Sequence, residues 1–287
     1  MKIRMVRGTW FGVVAVAMIA AATVVPQNIA SASNSALPMY YVSLGDSYGA
    51  GYQGGPGTPG GYAKDVVADV APTHRLMLRN FACGGATTSS MLSTVGCPFP
   101  ATTSAVAYPT TTQLAAAISF IKSHPGRIGL ITITIGGNNL LESAPNVPAM
   151  QADIVNISTQ LRAAAGESIP IIGLTYPDVD LAEWLVGASG ISSAQTSVTE
   201  FKLVVNPALA AGYAPSNITF IDVTTATGAY APFTRLVNYA TYGEIPYAVA
   251  QVCTLTWMCS QNNVHPTDAG YALIARQIAK AYLKLIF

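Results

Sequence analysis

Charge is what this sequence has least of. Fourteen Lys and Arg and thirteen Asp and Glu make up 9% of 287 residues and leave a net charge of +1. Without clustered Lys and Arg there is no electrostatic footprint for nucleic acid. No basic amphipathic segment argues for docking on a membrane surface. Histidine is scarce as well, with three in the chain. Two of them stand far from any Cys, and no Cys-x-x-Cys spacing occurs, so the pattern argues against a metal site. There is no long linker, internal repeat or block of like charge. What remains is a neutral chain, 51% hydrophobic, with apolar material for a large core.

One apolar run is set apart from the rest. Residues 10–25 carry no charge, follow Lys2, Arg4 and Arg7, and stop before Pro26. Ala30, Ser31 and Ala32 then supply small residues at the spacing a signal peptidase reads. The run is shorter than the roughly 20 residues of a spanning helix, and no Cys nearby offers a lipid anchor. Residues 1–32 are predicted to be a secretory signal that is removed, with an uncleaved anchor as the rival reading. Residues 33–287 remain as a single domain. Export permits disulfides. Cys83, Cys97, Cys253 and Cys259 admit three pairings. The two local ones, Cys83–Cys97 and Cys253–Cys259, are favoured because each closes a short loop. A loop of about 15 residues contributes on the order of 3 kcal/mol.

Short apolar runs recur along the mature chain, at residues 40–44, 74–80, 128–135, 169–175 and 218–223. Near-continuous apolar runs suit strands buried on both faces. Helical patterns lie between and after them, at 62–70, 112–123, 147–165, 193–211 and 267–285. Such alternation predicts an α/β fold with a parallel sheet covered on both faces. Ligands of such sheets bind beyond the carboxyl ends of the strands. Four polar clusters sit where that rule points: Gly45-Asp46-Ser47-Tyr48, "NFACGGATTSS" from Asn80, "IGGNN" from Ile135, and "NNVHPTDAGY" from Asn262. Together they offer a hydroxyl, a glycine-rich turn, an amide and an imidazole. Acyl transfer uses these groups: a hydroxyl activated by a base, and preorganised donors for the oxygen that becomes negative.

The four blocks, in this order, resemble the SGNH or GDSL hydrolase superfamily, named for Ser, Gly, Asn and His. The resemblance runs from Gly45 to the last helix. It implies a three-layer α/β/α sandwich with a flavodoxin-like parallel sheet, and ester hydrolysis without metal or cofactor. Block by block, it implies Ser47 as nucleophile and His265 as base. Gly85 and Asn138 would hold the oxyanion, with the Ser47 N–H. Residues 45–49 also fit G-x-S-x-G, the elbow of α/β-hydrolases. That fold places strands and an oxyanion loop before its elbow, and here about a dozen mature residues precede Ser47.

Two positions depart from the family pattern. Asn139 stands where Asp is usual in the third block, and Asn262 where Asp is usual in the fourth. In a Ser-His-Asp triad that carboxylate fixes the tautomer and stabilises the imidazolium. Here the orienter is expected to be Asn262 or a main-chain carbonyl between Cys253 and His265. If an amide NH₂ faced the ring, the wrong tautomer would be favoured. Asp268 is read as a helix first-turn charge and Asp46 as a structural residue of the turn. His74 and His124 carry no motif and are expected in surface or turn positions. The Gly- and Pro-rich residues 51–62 suit either a mobile lip or a solvated loop. The sequons at Asn156 and Asn217 are read as chance matches.

With the signal pattern, the resemblance thus points to a secreted serine esterase or lipase acting through an acyl-Ser47 intermediate, and a monomer is expected. An apolar, weakly charged chain leans toward lipid or other acyl esters. Polysaccharide deacetylation and a catalytically weak binding protein on the same fold are the alternatives.

Overall fold

In a computed structural model, which describes residues 38–53 and 60–286, the five apolar runs are five parallel strands. They are β1 (Met39–Gly45), β2 (Leu76–Asn80), β3 (Ile128–Thr134), β4 (Ile171–Leu174) and β5 (Thr219–Ile221). Their order across the sheet is β2-β1-β3-β4-β5. This is the flavodoxin-like doubly wound order, whose direction of growth reverses between β1 and β3. β3 carries Leu130, Ile131 and Ile133 with no exposure at all, as a strand covered on both faces must. Residues 1–32, expected to be a secretory signal, lie outside the described residues, as does the middle of the 51–62 loop.

The helices in chain order are α1 (Ser47–Ala50), α2 (Tyr62–Val70), α3 (Thr88–Ser93), α4 (Gln113–Ser123), α5 (Gly137–Leu140) and α6 (Val147–Ala165). They continue with α7 (Ala188–Glu200), α8 (Asn206–Tyr213), α9 (Val223–Ala226), α10 (Tyr247–Leu255), α11 (Met258–Gln261) and α12 (Asp268–Ile286). α2 packs on α12, while α4, α6 and α8 pack side by side, giving an outer layer on each side of the sheet. Two disulfides join Cys83 to Cys97 and Cys253 to Cys259, the local pairing expected.

The structure differs from the expected pattern in two places. The helix expected at 193–211 is interrupted: α7 ends at Glu200, residues Phe201–Val205 form a π turn, and α8 begins at Asn206. Pro207 is the cause available in the sequence. It has no N–H to give and its ring crowds the carbonyl four residues back, and a π turn absorbs the misfit. The second difference is an antiparallel ribbon, β6 (Leu236–Tyr239) with β7 (Gly243–Pro246). Its strands are four residues each, too short to stand out as a period-2 pattern. Ile245 of this ribbon joins Leu181, Val249 and Cys253 in a small second core beside the main one.

Candidate active site

The turn that carries Ser47 is shaped by backbone constraint. Gly45 ends β1 at φ +140°, opposite Thr134 of β3, and a Cβ there would meet the Thr134 carbonyl oxygen at 2.1 Å. Gln113, buried at the start of α4, takes both polar groups of Gly45: its Oε1 accepts the N–H at 2.8 Å and its Nε2 donates to the C=O at 3.0 Å. Asp46 then caps α1, with Oδ1 accepting the Tyr48 N–H at 2.9 Å. Ser47 is therefore the first residue of a one-turn helix. It is half-buried and lines a cavity of about 80 Å³ together with Asn138.

Asp46 is 1% exposed, and its Oδ2 accepts the Tyr176 phenol at 2.5 Å. Burial raises its pKa to about 7. Both of its oxygens are thus committed to the turn and to Tyr176, in keeping with a structural role.

Strand order brings the second and third blocks to the same end of the sheet, because β2 and β3 flank β1. Asn138, in α5, donates from Nδ2 to the Ala86 carbonyl at 2.8 Å, which ties it to the residue after Gly85. An amide NH₂ has two hydrogens, so one is left to point elsewhere. Gly85 has φ +76° and nothing within 4 Å of a built Cβ. Its requirement is conformational, since left-handed backbone is costly for other residues. Asn139 does something different. Its Oδ1 accepts the Thr88 N–H at 3.0 Å at the start of α3.

The fourth block is carried by the loop between α11 and α12. Trp257 N–H donates to the His265 carbonyl at 2.9 Å, and Thr267 N–H to the Leu255 carbonyl at 2.9 Å. Tyr48, next to Ser47, donates from its phenol to the Val264 carbonyl at 2.6 Å, joining the first block to the fourth. The Tyr48 and Tyr52 rings face the imidazole at 6.2 and 6.0 Å between centroids. Burial lowers the pKa of His265, which favours the neutral imidazole.

Asn262 does not orient this ring. It is exposed, has φ +49° and closes α11 in the left-handed conformation, its N–H donating to the Met258 carbonyl at 2.9 Å. The side chain at Nδ1 is that of Asn263, whose Oδ1 lies 2.7 Å away. Asn tolerates left-handed backbone better than most residues, so either Asn of the pair suits the cap by type, and only the chain path assigns them. Asp268 is turned to Gln53, whose Nε2 donates to Oδ1 at 2.6 Å. His124 caps α4 and stacks on Phe120 at 4.1 Å, and His74 sits edge-on to Tyr282 at 5.7 Å. Three residues of this region had no motif to announce them, Gln113, Tyr176 and Phe201, and Asn263 lay within the fourth block without being singled out. Phe201 and Tyr176 line the cavity with Leu140, Leu141, Val179 and Val264.

The fold is that of the doubly wound SGNH hydrolases, with the four sequence blocks at one end of its sheet. The model of the GDSL-like lipase/acylhydrolase family matches residues 43–273, and the chain belongs to that family. Among solved structures it is similar to a Bacillus subtilis protein, at 18% identity and a TM-score of 0.46, over 86% of this chain and 56% of that one. It is also similar to the psychrotrophic esterase EstA from Pseudoalteromonas, at 13% identity and 0.48, over 86% and 98% of the two chains. A third likeness is the extracellular lipase from Streptomyces rimosus, at 20% identity and 0.43, over 84% and 99%. No curated protein sequence matches the chain.

Proposed function

We propose that this protein is an exported serine ester hydrolase that cleaves carboxylic esters, with lipid or other acyl esters as its substrate class. The observation that supports it is the junction at the sheet end: Ser47 and Asn138 share one cavity, and Tyr48 ties the Ser47 turn to the loop of His265. In this reading Ser47 Oγ attacks the ester carbonyl while His265 accepts its proton. The tetrahedral oxyanion is held by the N–H groups of Ser47 and Gly85 and by the second amide hydrogen of Asn138. His265 then protonates the departing alcohol, giving acyl-Ser47. Water, deprotonated by His265, attacks the acyl carbon; the bond from that carbon to Ser47 Oγ then breaks, His265 returns the proton to Oγ, and the carboxylic acid leaves. The apolar walls formed by Leu140, Leu141, Val179 and Phe201 support an acyl substituent in the cavity. Residues 1–32 direct export and are removed, and residues 33–287 act as one domain and as a monomer. Among the described residues no helix is long and apolar enough to cross a membrane.

A fluorophosphonate probe tests this directly. Labelling of wild type at neutral pH, absent in Ser47→Ala, is expected; an unlabelled wild type overturns the reading. Asn138→Ala should lose about 100- to 1000-fold in kcat on aryl esters, with an unchanged circular dichroism spectrum.

A further inference from the structure

His265 has to present a bare Nε2 if it is to take a proton, and that depends on what its other nitrogen does. The side chain of Asn263 settles it through two contacts made by one atom. Its Oδ1 accepts the backbone N–H of His265 at 3.0 Å and lies 2.7 Å from Nδ1. A backbone N–H is a donor at every pH, and an amide NH₂ cannot accept from it. The end of Asn263 turned to His265 is therefore the carbonyl oxygen. That oxygen has no hydrogen to give, so the proton of the pair must sit on Nδ1. The two ends of an amide are alike in shape, and only their hydrogen-bond partners tell them apart. Here the backbone contact, an Asx turn from residue 263 to 265, removes the choice.

We propose that Asn263 is the positioning residue of this site, holding His265 as the Nδ1–H tautomer from the place that a carboxylate takes in a Ser-His-Asp triad. The catalytic consequence rests on the ester-hydrolase reading; the tautomer does not. The loop gives Asn263 little freedom to turn away. Its own N–H donates to the Trp257 carbonyl at 3.4 Å, Trp257 in turn binds the His265 carbonyl, and the Cys253–Cys259 disulfide lies at the base of the same loop. The difference from a triad is charge. Asn263 orients the ring without stabilising the imidazolium. The titratable groups facing the ring from α1 and the segment after it are the phenols of Tyr48 and Tyr52, each with its pKa raised by burial and so neutral near pH 7. Asp268, from α12, is bound to Gln53, and Asp46 to the Tyr48 N–H and Tyr176.

Two variants and two readouts test this on the mature protein. Nitrogen-15 NMR of the imidazole should show wild-type His265 as the Nδ1–H tautomer at neutral pH. Asn263→Ala should lose that preference and drop kcat by about 100- to 10,000-fold, with KM little changed. Asn263→Asp should keep the tautomer while moving the acid limb of the kcat/KM profile to higher pH, since a carboxylate favours the protonated ring. A wild-type ring protonated on Nε2 overturns the proposal. So does an acid limb that stays in place in Asn263→Asp, a variant that keeps the acceptor even if Asn263→Ala fails to fold. If wild type cleaves no ester, the hydrolase reading fails, and the NMR measurement still decides the role of Asn263.

Discussion

Asp46 stands one residue before Ser47 and takes up a proton at a higher pH than a carboxyl in water does. Burial raises its pKa from 3.8 to about 7. A carboxyl that binds its proton more tightly when folded favours folding at low pH. Its stabilisation is complete below about 4, where the unfolded carboxyl is protonated too, and declines until about 7. At ~1.4 kcal/mol per unit, the change across that window is on the order of 4 kcal/mol. Buried Asp178 shifts in the same sense, and His265, whose pKa falls, in the opposite one. A comparison of variants cancels both. Asp46→Asn is expected to show a flatter dependence of urea midpoint on pH between 4 and 7 than wild type; parallel curves would refute the assignment. Ser47, Gly85, Asn138 and His265 could be proposed from sequence because each sits in a recognisable block of residues. Asn263 could not be told from Asn262. The difference lies in one positive φ, and nothing in the pair "NN" says which residue must adopt it.

At the scale of elements, the central strands β1, β3 and β4 were legible because their apolar runs are largely buried on both faces, and the helix ends fell close to their capping residues. What escaped was any feature set by contact between distant elements. Gln113 is the clearest case. As a residue type it is an ordinary first-turn helix residue, yet its amide closes both polar groups of Gly45 across 68 positions. Gln113→Leu keeps the bulk and leaves the buried Gly45 N–H without its partner, while the Gly45 C=O keeps the Cys83 N–H at 2.9 Å. One orphaned buried donor costs about 1–3 kcal/mol, and a loss of that size is expected from urea unfolding. Activity at a temperature where the variant stays folded should fall as well, because Gly45 sets the direction in which Ser47 leaves β1. The π turn after α7 escaped for a related reason: Pro207 foretells a break in the helix but not which form the break takes.

For the molecule as a whole, the doubly wound order gathers three of the four blocks, since β2, β1 and β3 are neighbours. The fourth block arrives from far along the chain, after the ribbon and α10, and only the loop before α12 carries it to the sheet end. The two disulfides sit in the two segments that no strand holds: Cys83–Cys97 brackets Gly85, and Cys253–Cys259 precedes His265. Loop-closure entropy gives about 3 kcal/mol for the first and about 2–3 kcal/mol for the second. Each kcal/mol moves the melting midpoint of a domain this size by roughly 2–4 °C. Replacing Cys253 and Cys259 together by Ser should therefore lower Tm by about 5–10 °C. If that bridge also steadies the loop of His265, kcat should fall even in the cold, where almost every molecule is folded. A variant with the lowered Tm and an unchanged kcat in the cold would show that the bridge stabilises the fold without holding His265 in place.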